Sequence, residues 1–193
     1  MNRDYSQLIN SWERQFITRL NFSDKTVLDY GIGAAYLGKY LLEQKNISHY
    51  YGLDISDRSI SKAKNLLRSF NSNKYDLILV DDHDTIIDEK IDVVICQQVI
   101  QHFVSEEMLL QFLNRLCSFD AKLLMLQTIQ PTNSKNLQIV DNNQYDNIDA
   151  VVRACRVTSD YIISKLPMYC VSCKYHETAR FGDVSCFNIY EKV

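Results

Sequence analysis

Short apolar runs rich in β-branched and aromatic residues alternate along this chain with longer stretches whose apolar positions recur every three or four residues, and few folds accept that alternation. The runs are TVLDY (26–30), YYGLDI (50–55), YDLILV (75–80), IDVVIC (91–96) and AKLLMLQTI (121–129). Strands joined through helices cannot return as hairpins. They line up parallel, and the connecting helices cover the sheet. Two more runs, MYCVSCKY (168–175) and VSCFNIYEKV (184–193), are separated by a polar connection too short for a crossover helix, so the last strands are expected to pair antiparallel. The expected fold is an α/β domain with a seven-stranded, mostly parallel sheet, its last strand antiparallel and helices on both faces.

The helical stretches carry their own start signals. Ser56 or Asp57 can cap a helix that places Ile60, Ala63, Leu67 and Phe70 on one face. Ser105 can cap a second with Leu109, Phe112, Leu113 and Leu116 as its buried stripe, and Glu106 and Glu107 suit its first turn. A third helix is expected over about 148–166, with Val151, Val152, Cys155, Ile162, Ile163 and Leu166 inward. Residues 4–20 read as an amphipathic helix through Leu8, Trp12, Phe16 and Ile17. These stripes are core rather than site. The polar stretch at 131–147 reads as a long loop, a kind of segment that is functional or disordered in compact domains.

Composition bounds the partners. A chain of 193 residues suits one domain spanning 1–193, and no apolar run approaches the roughly 20 residues of a membrane-spanning helix. The N-terminal stretch lacks the apolar core of a signal peptide, so a cytoplasmic protein is expected. Net charge is −3, and the 21 basic residues form no cluster longer than a pair, so no nucleic-acid or membrane partner is expected. The 6 cysteines read as free thiols in a chain without an export signal. Cys170 and Cys173 form a CxxC with neither a second pair nor a histidine at zinc spacing, so no metal is expected there. His49, His83 and His176 likewise have no partner at ligand spacing.

The stretch with chemistry in it is LDYGIGAAYLGKY, where the first strand hands over to its helix. In open α/β sheets ligands bind beyond the carboxyl ends of the strands, and glycines at that turn let backbone approach them closely. A dinucleotide fingerprint would put its third glycine at position 36, which is Tyr36. The pattern instead resembles the Asp-x-Gly-x-Gly-x-Gly signature of class I S-adenosylmethionine-dependent methyltransferases, read as Asp29, Gly31, Gly33 and, departing from glycine in the last place, Ala35. The resemblance extends in order over about residues 25–130. It implies a Rossmann-like fold, with S-adenosyl-L-methionine as cofactor. Its methionine part would lie on backbone around Gly31, Gly33 and Ala35, and its amino group near Asp29. Asp54, at the end of YYGLDIS, would take the ribose hydroxyls, with Ile55 beside it, although an acid there can equally cap the next helix. In LVDDHD the family's adenine-facing acid falls on Asp82, with Asp81 as the alternative register. In IDVVICQQVIQHF, Gln97 and Gln98 would lie by the methionine end, and His102 would flank the reactive face.

The resemblance implies methyl transfer, and a minimal domain suggests a small-molecule acceptor such as a metabolite, sugar or natural-product hydroxyl or amine. If the acceptor is a hydroxyl, His102 is the expected catalytic base; the other reading of it is a loop residue capping the next helix. Tyr145, Arg153 and Arg156 are the expected substrate-side residues, and Tyr5 and Trp12 candidates for a lid. A methyltransferase of RNA or protein, and a cofactor-holding subunit without its own catalysis, are the alternatives. A homodimer or a partner subunit is left open.

Overall fold

The computed structural model describes Ile17 and residues 20–80, 87–139, 155–178 and 184–193, without the side chains of 175–178. The strands are β1 (Thr26–Tyr30), β2 (His49–Asp54), β3 (Tyr75–Leu79), β4 (Val93–Cys96), β5 (Leu123–Ile129), β6 (Leu137–Ile139), β7 (Cys155–Val157), β8 (Tyr169–Thr178) and β9 (Val184–Lys192). The helices are α1 (Tyr36–Gln44), α2 (Asp57–Leu67), α3 (Glu106–Ser118) and α4 (Ser159–Ser164). Seven strands form one sheet in the order β3-β2-β1-β4-β5-β9-β8. β1 to β5 run parallel, and β9 lies antiparallel between β5 and β8. This is the Rossmann-like arrangement expected from the sequence.

β1, β2, β4 and β5 are buried on both faces, so their side chains divide between two apolar layers, while the edge strand β3 stays partly exposed. Leu28, Leu53, Val94, Leu124 and Leu126 pack with α3 and α4 on one side. Val27, Tyr50, Val93, Ile95 and Met125 pack with α1 and α2 on the other. Helix starts follow the predicted caps. Ser56 Oγ accepts from the Ser59 N–H at 3.3 Å, which decides between Ser56 and Asp57, and Ser105 Oγ accepts from the Met108 N–H at 3.2 Å.

The segment after β5 differs from expectation in two ways. Cys155–Val157, expected inside a long helix over 148–166, is a strand, and the helix is confined to Ser159–Ser164. The cause is local. Cys155 and Val157 are both buried with Arg156 turned between them, a period of two, and Thr158 Oγ1 caps a fresh helix by accepting from the Tyr161 N–H at 3.1 Å. β7 pairs antiparallel with β6, which lies inside the stretch expected to be an irregular loop. Residues 140–154, most of residues 1–19 and residues 81–86 fall outside the described residues, and with them Tyr145, Arg153, Tyr5, Trp12, Asp81 and Asp82.

Candidate active site

The turn after β1 is held from behind by β2. The N–H groups of Gly31 and Ile32 both donate to the Leu53 carbonyl, at 2.7 and 3.2 Å. The Gly33 N–H then donates to Asp54 Oδ2 at 2.9 Å, while Asp54 Oδ1 accepts from the Ser56 N–H at 2.8 Å. One carboxylate therefore ties the glycine turn to the start of α2. Both oxygens keep lone-pair capacity, since a carboxylate offers about four acceptor positions.

The chain bends here through left-handed conformations. Gly31 has φ 80°, Gly33 φ 54° and Ala35 φ 58°. A Cβ on Gly31 would lie 2.2 Å from Val99 Cγ2, so the loop after β4 sits directly on this glycine. A Cβ on Gly33 would meet nothing within 4 Å. Gly33 thus presents bare backbone to open space, as a cradle for a closely approaching ligand does. Ala35, fully buried, caps α1 in a left-handed conformation with no side-chain cap bond.

That open space is a cavity of about 490 Å³. Gly31 and Gly33 form one wall, Asp54 and Ile55 a second, and Gln98, Val99, His102 and Phe103 a third. Met108, Gln111 and Phe112 of α3 close it, and Tyr30 lies among them. Ile55 is 79% exposed, unusual for an isoleucine directly after a buried strand, and so offers an apolar surface beside the acid. Gln98, in the loop after β4, has φ 54°. His102 ends a 3-10 turn (Ile100–His102), its N–H donating to the Val99 carbonyl at 2.9 Å, and its side chain is exposed. Among the described lining residues none is Lys or Arg.

Of the residues expected from sequence, Gly31, Gly33, Asp54, Ile55, Gln98 and His102 come together on this cavity. Asp29, Ala35 and Gln97 do not line it. Asp29 is buried beneath the turn, where its Oδ2 accepts a 2.9 Å hydrogen bond from the Tyr50 hydroxyl. Tyr50 reaches it over Gly38 of α1, where a Cβ would stand 2.4 Å from the Tyr50 Cζ. Gln97 is half-buried at the end of β4, and Arg156 lies on β7 opposite Gln138. Asp82, Tyr145 and Arg153 lie outside the described residues. Sequence reasoning missed Tyr30, Val99, Phe103, Met108 and Gln111, and it assigned Phe112 to the core alone. Phe112 serves both, meeting Tyr30 edge-on at 5.0 Å and Phe103 at 5.0 Å.

Tyr30 and Cys96, at the ends of β1 and β4, are pushed toward their neutral forms. Burial raises the Tyr30 phenol above its ordinary value, opposed in part by the Arg115 guanidinium. Burial, with the nearby Asp29 charge, raises the Cys96 thiol strongly. Cys96 at the end of β4 is therefore a thiol, not a nucleophile.

An open sheet in this order, with a glycine turn after β1 and an acid at the end of β2 joined across the switch point, defines a nucleoside-binding α/β domain. The chain belongs to the methyltransferase-domain family, whose model matches residues 21–176. A search of curated protein sequences finds no match. Among solved structures, the magnesium protoporphyrin IX methyltransferase of Synechocystis PCC 6803 with bound S-adenosylmethionine is similar at 20% identity and TM-score 0.70, covering 98% of this chain and 80% of that one. The N-methyltransferase NodS of Bradyrhizobium japonicum WM9, in complex with S-adenosylhomocysteine, matches at 13% identity and TM-score 0.68, over 99% and 93%. A proposed RNA methyltransferase of Pyrococcus horikoshii matches at 13% identity and TM-score 0.62, over 98% and 81%.

Proposed function

We propose that this chain transfers a methyl group from S-adenosylmethionine to a small-molecule acceptor. The observation that carries the cofactor reading is the Asp54 carboxylate, bonded to the Gly33 N–H at the wall of a cavity that Gly33 leaves open. The residues fit the group. Bare backbone at Gly31 and Gly33, shaped by Ala35, suits the methionine part, with Asp29 and Gln97 behind it. The remaining acceptor capacity of Asp54 suits two ribose hydroxyls, and Ile55 offers an apolar face to the adenine, with Asp82 as the acid for its amino group.

The cofactor supplies a methyl on a positively charged sulfur, whose departure needs no proton donor. The protein's own task is then to hold the acceptor in line and to exclude water. His102 is the base for a hydroxyl acceptor, an exposed imidazole on the cavity wall. Tyr145 and Arg153 are proposed to contact the substrate. The small-molecule reading is supported by the lining itself. It is concave and largely apolar, and among the described residues that line it none is Lys or Arg, whereas a polyanionic acceptor calls for basic contacts.

Calorimetric titration with S-adenosylhomocysteine, followed by an acceptor screen with methyl-labelled cofactor, tests the proposal. Binding of the homocysteine product and label transfer to a small molecule are expected. Label appearing only in RNA or protein would replace the acceptor class, and absence of binding would remove the cofactor reading.

A further inference from the structure

Tyr30 occupies the variable position inside the Asp-x-Gly turn and lines the cavity. Its ring is fixed edge-on against Phe112 at 5.0 Å, and only 9% of the residue is exposed. Two other buried tyrosines have bonded hydroxyls. Tyr50 donates to Asp29, and Tyr169 donates to the Ala121 carbonyl at 2.8 Å. The Tyr190 hydroxyl is sealed in the core without a partner. The Tyr30 hydroxyl makes no hydrogen bond among the described residues and is not one of the sealed atoms, so it opens on the cavity its ring helps to form. Resting on the cofactor reading above, we propose that Tyr30 is a specificity-determining residue whose phenol donates a hydrogen bond to a ring nitrogen of the cofactor's adenine.

The surroundings set the direction of that bond. Burial keeps the phenol protonated, and the charge of Arg115, one helical turn beyond Gln111 and Phe112, makes the O–H a better donor and a poorer acceptor. The guanidinium stacks over Phe119 at 4.9 Å and has one buried Nη2 without an acceptor, so its charge is not neutralised within that contact. Met108, Phe103 and Phe112 give a planar base an apolar wall, and the phenol adds a directional donor beside them.

The test is calorimetry of wild type and Tyr30→Phe with S-adenosylhomocysteine and with analogues in which N1, N3 or N7 of the adenine is replaced by CH. Tyr30→Phe should weaken the parent ligand about 3- to 10-fold, the range of one hydrogen bond. One analogue should bind wild type more weakly by a similar factor and be indifferent to the substitution. Unchanged affinity of Tyr30→Phe, or an undiminished loss with all three analogues, overturns the proposal. So does a loss that follows the exocyclic amine, read with the analogue in which that amine alone is replaced by hydrogen. If Tyr30→Phe does not fold, equal affinity of wild type for all three analogues and the parent overturns it. Wild type that does not bind S-adenosylhomocysteine at all is a different result, and it removes the cofactor reading itself.

Discussion

Replacing Asp54 should damage stability and cofactor binding together, in a proportion that the structure sets. The side chain accepts from Gly33 and from Ser56, so Asp54→Ala strips two N–H groups of their acceptor at a position only 8% exposed. Each lost bond costs about 1–3 kcal/mol. Because Gly33 borders the cavity, water can reach its N–H after the change, and the lower part of that range applies, about 2–4 kcal/mol in all. For a domain of this size that lowers Tm by roughly 5–15 °C. Asp54→Asn keeps one acceptor oxygen and should lose about half as much stability. Its binding loss is a separate matter. Giving up one charge-assisted bond to a ribose hydroxyl costs about 1.5–3 kcal/mol, a 10- to 150-fold weakening. Thermal melting without ligand reads the first effect, and calorimetry with S-adenosylhomocysteine, well below the variant's melting point, reads the second. Asp54→Ala melting with wild type would refute the tether. Asp54→Asn binding with wild-type affinity would refute the ribose role even if the tether stands.

Gly31→Ala places a Cβ 2.2 Å from Val99 Cγ2 at φ 80° and should cost about 2–5 kcal/mol in urea unfolding. Adding Val99→Ala should recover about 1 kcal/mol or more of it, and strictly additive effects would show that the two do not touch. Gly38→Ala gains about 1 kcal/mol of helix propensity, yet should still destabilise because its methyl meets the Tyr50 ring; a more stable variant would contradict the packing of Tyr50 over α1. The Cys155 thiol, buried on β7, is pushed up from 9.0 to about 12 by burial. Its stabilising contribution is complete below pH 9 and is lost as pH rises toward 12, because the unfolded chain releases this proton first. Stability should therefore fall above pH 9 by up to about 1.4 kcal/mol per pH unit from this group, and Cys155→Ala should flatten that slope; an unchanged alkaline profile counts against the burial. For a hydroxyl acceptor, His102→Ala should lower kcat by about 10²-fold or more with little change in cofactor affinity, and an unaffected rate would return His102 to a loop residue.

The alternation of periods revealed the sheet because strands buried on both faces and helices buried on one leave different apolar spacings, and neither depends on distant contacts. Cys155–Val157 escaped that logic. Three residues are too few for a period of two to declare itself, and the same cysteine also fits a helical stripe with Ile162. The legible clue was Thr158, a capping residue in the middle of the expected helix. The cavity's floor was harder to read for a different reason. Periodicity says which side of α3 faces inward, but not that the packing stops short at its first turns, where Met108 and Phe112 meet open space. Gly38 looks like a weak point in a helix until Tyr50, a residue of the next strand, is seen to need its missing methyl. Local conflict itself marks the site. Among the described non-glycine residues at positive φ, Asp24, Asn46 and Asp120 are of types that tolerate it, whereas Ala35 and Gln98 have no such excuse. Those two lie on the turn after β1 and the loop after β4, so the backbone strain least explained by residue type is concentrated at the carboxyl ends of the strands, where the proposed cofactor would be held.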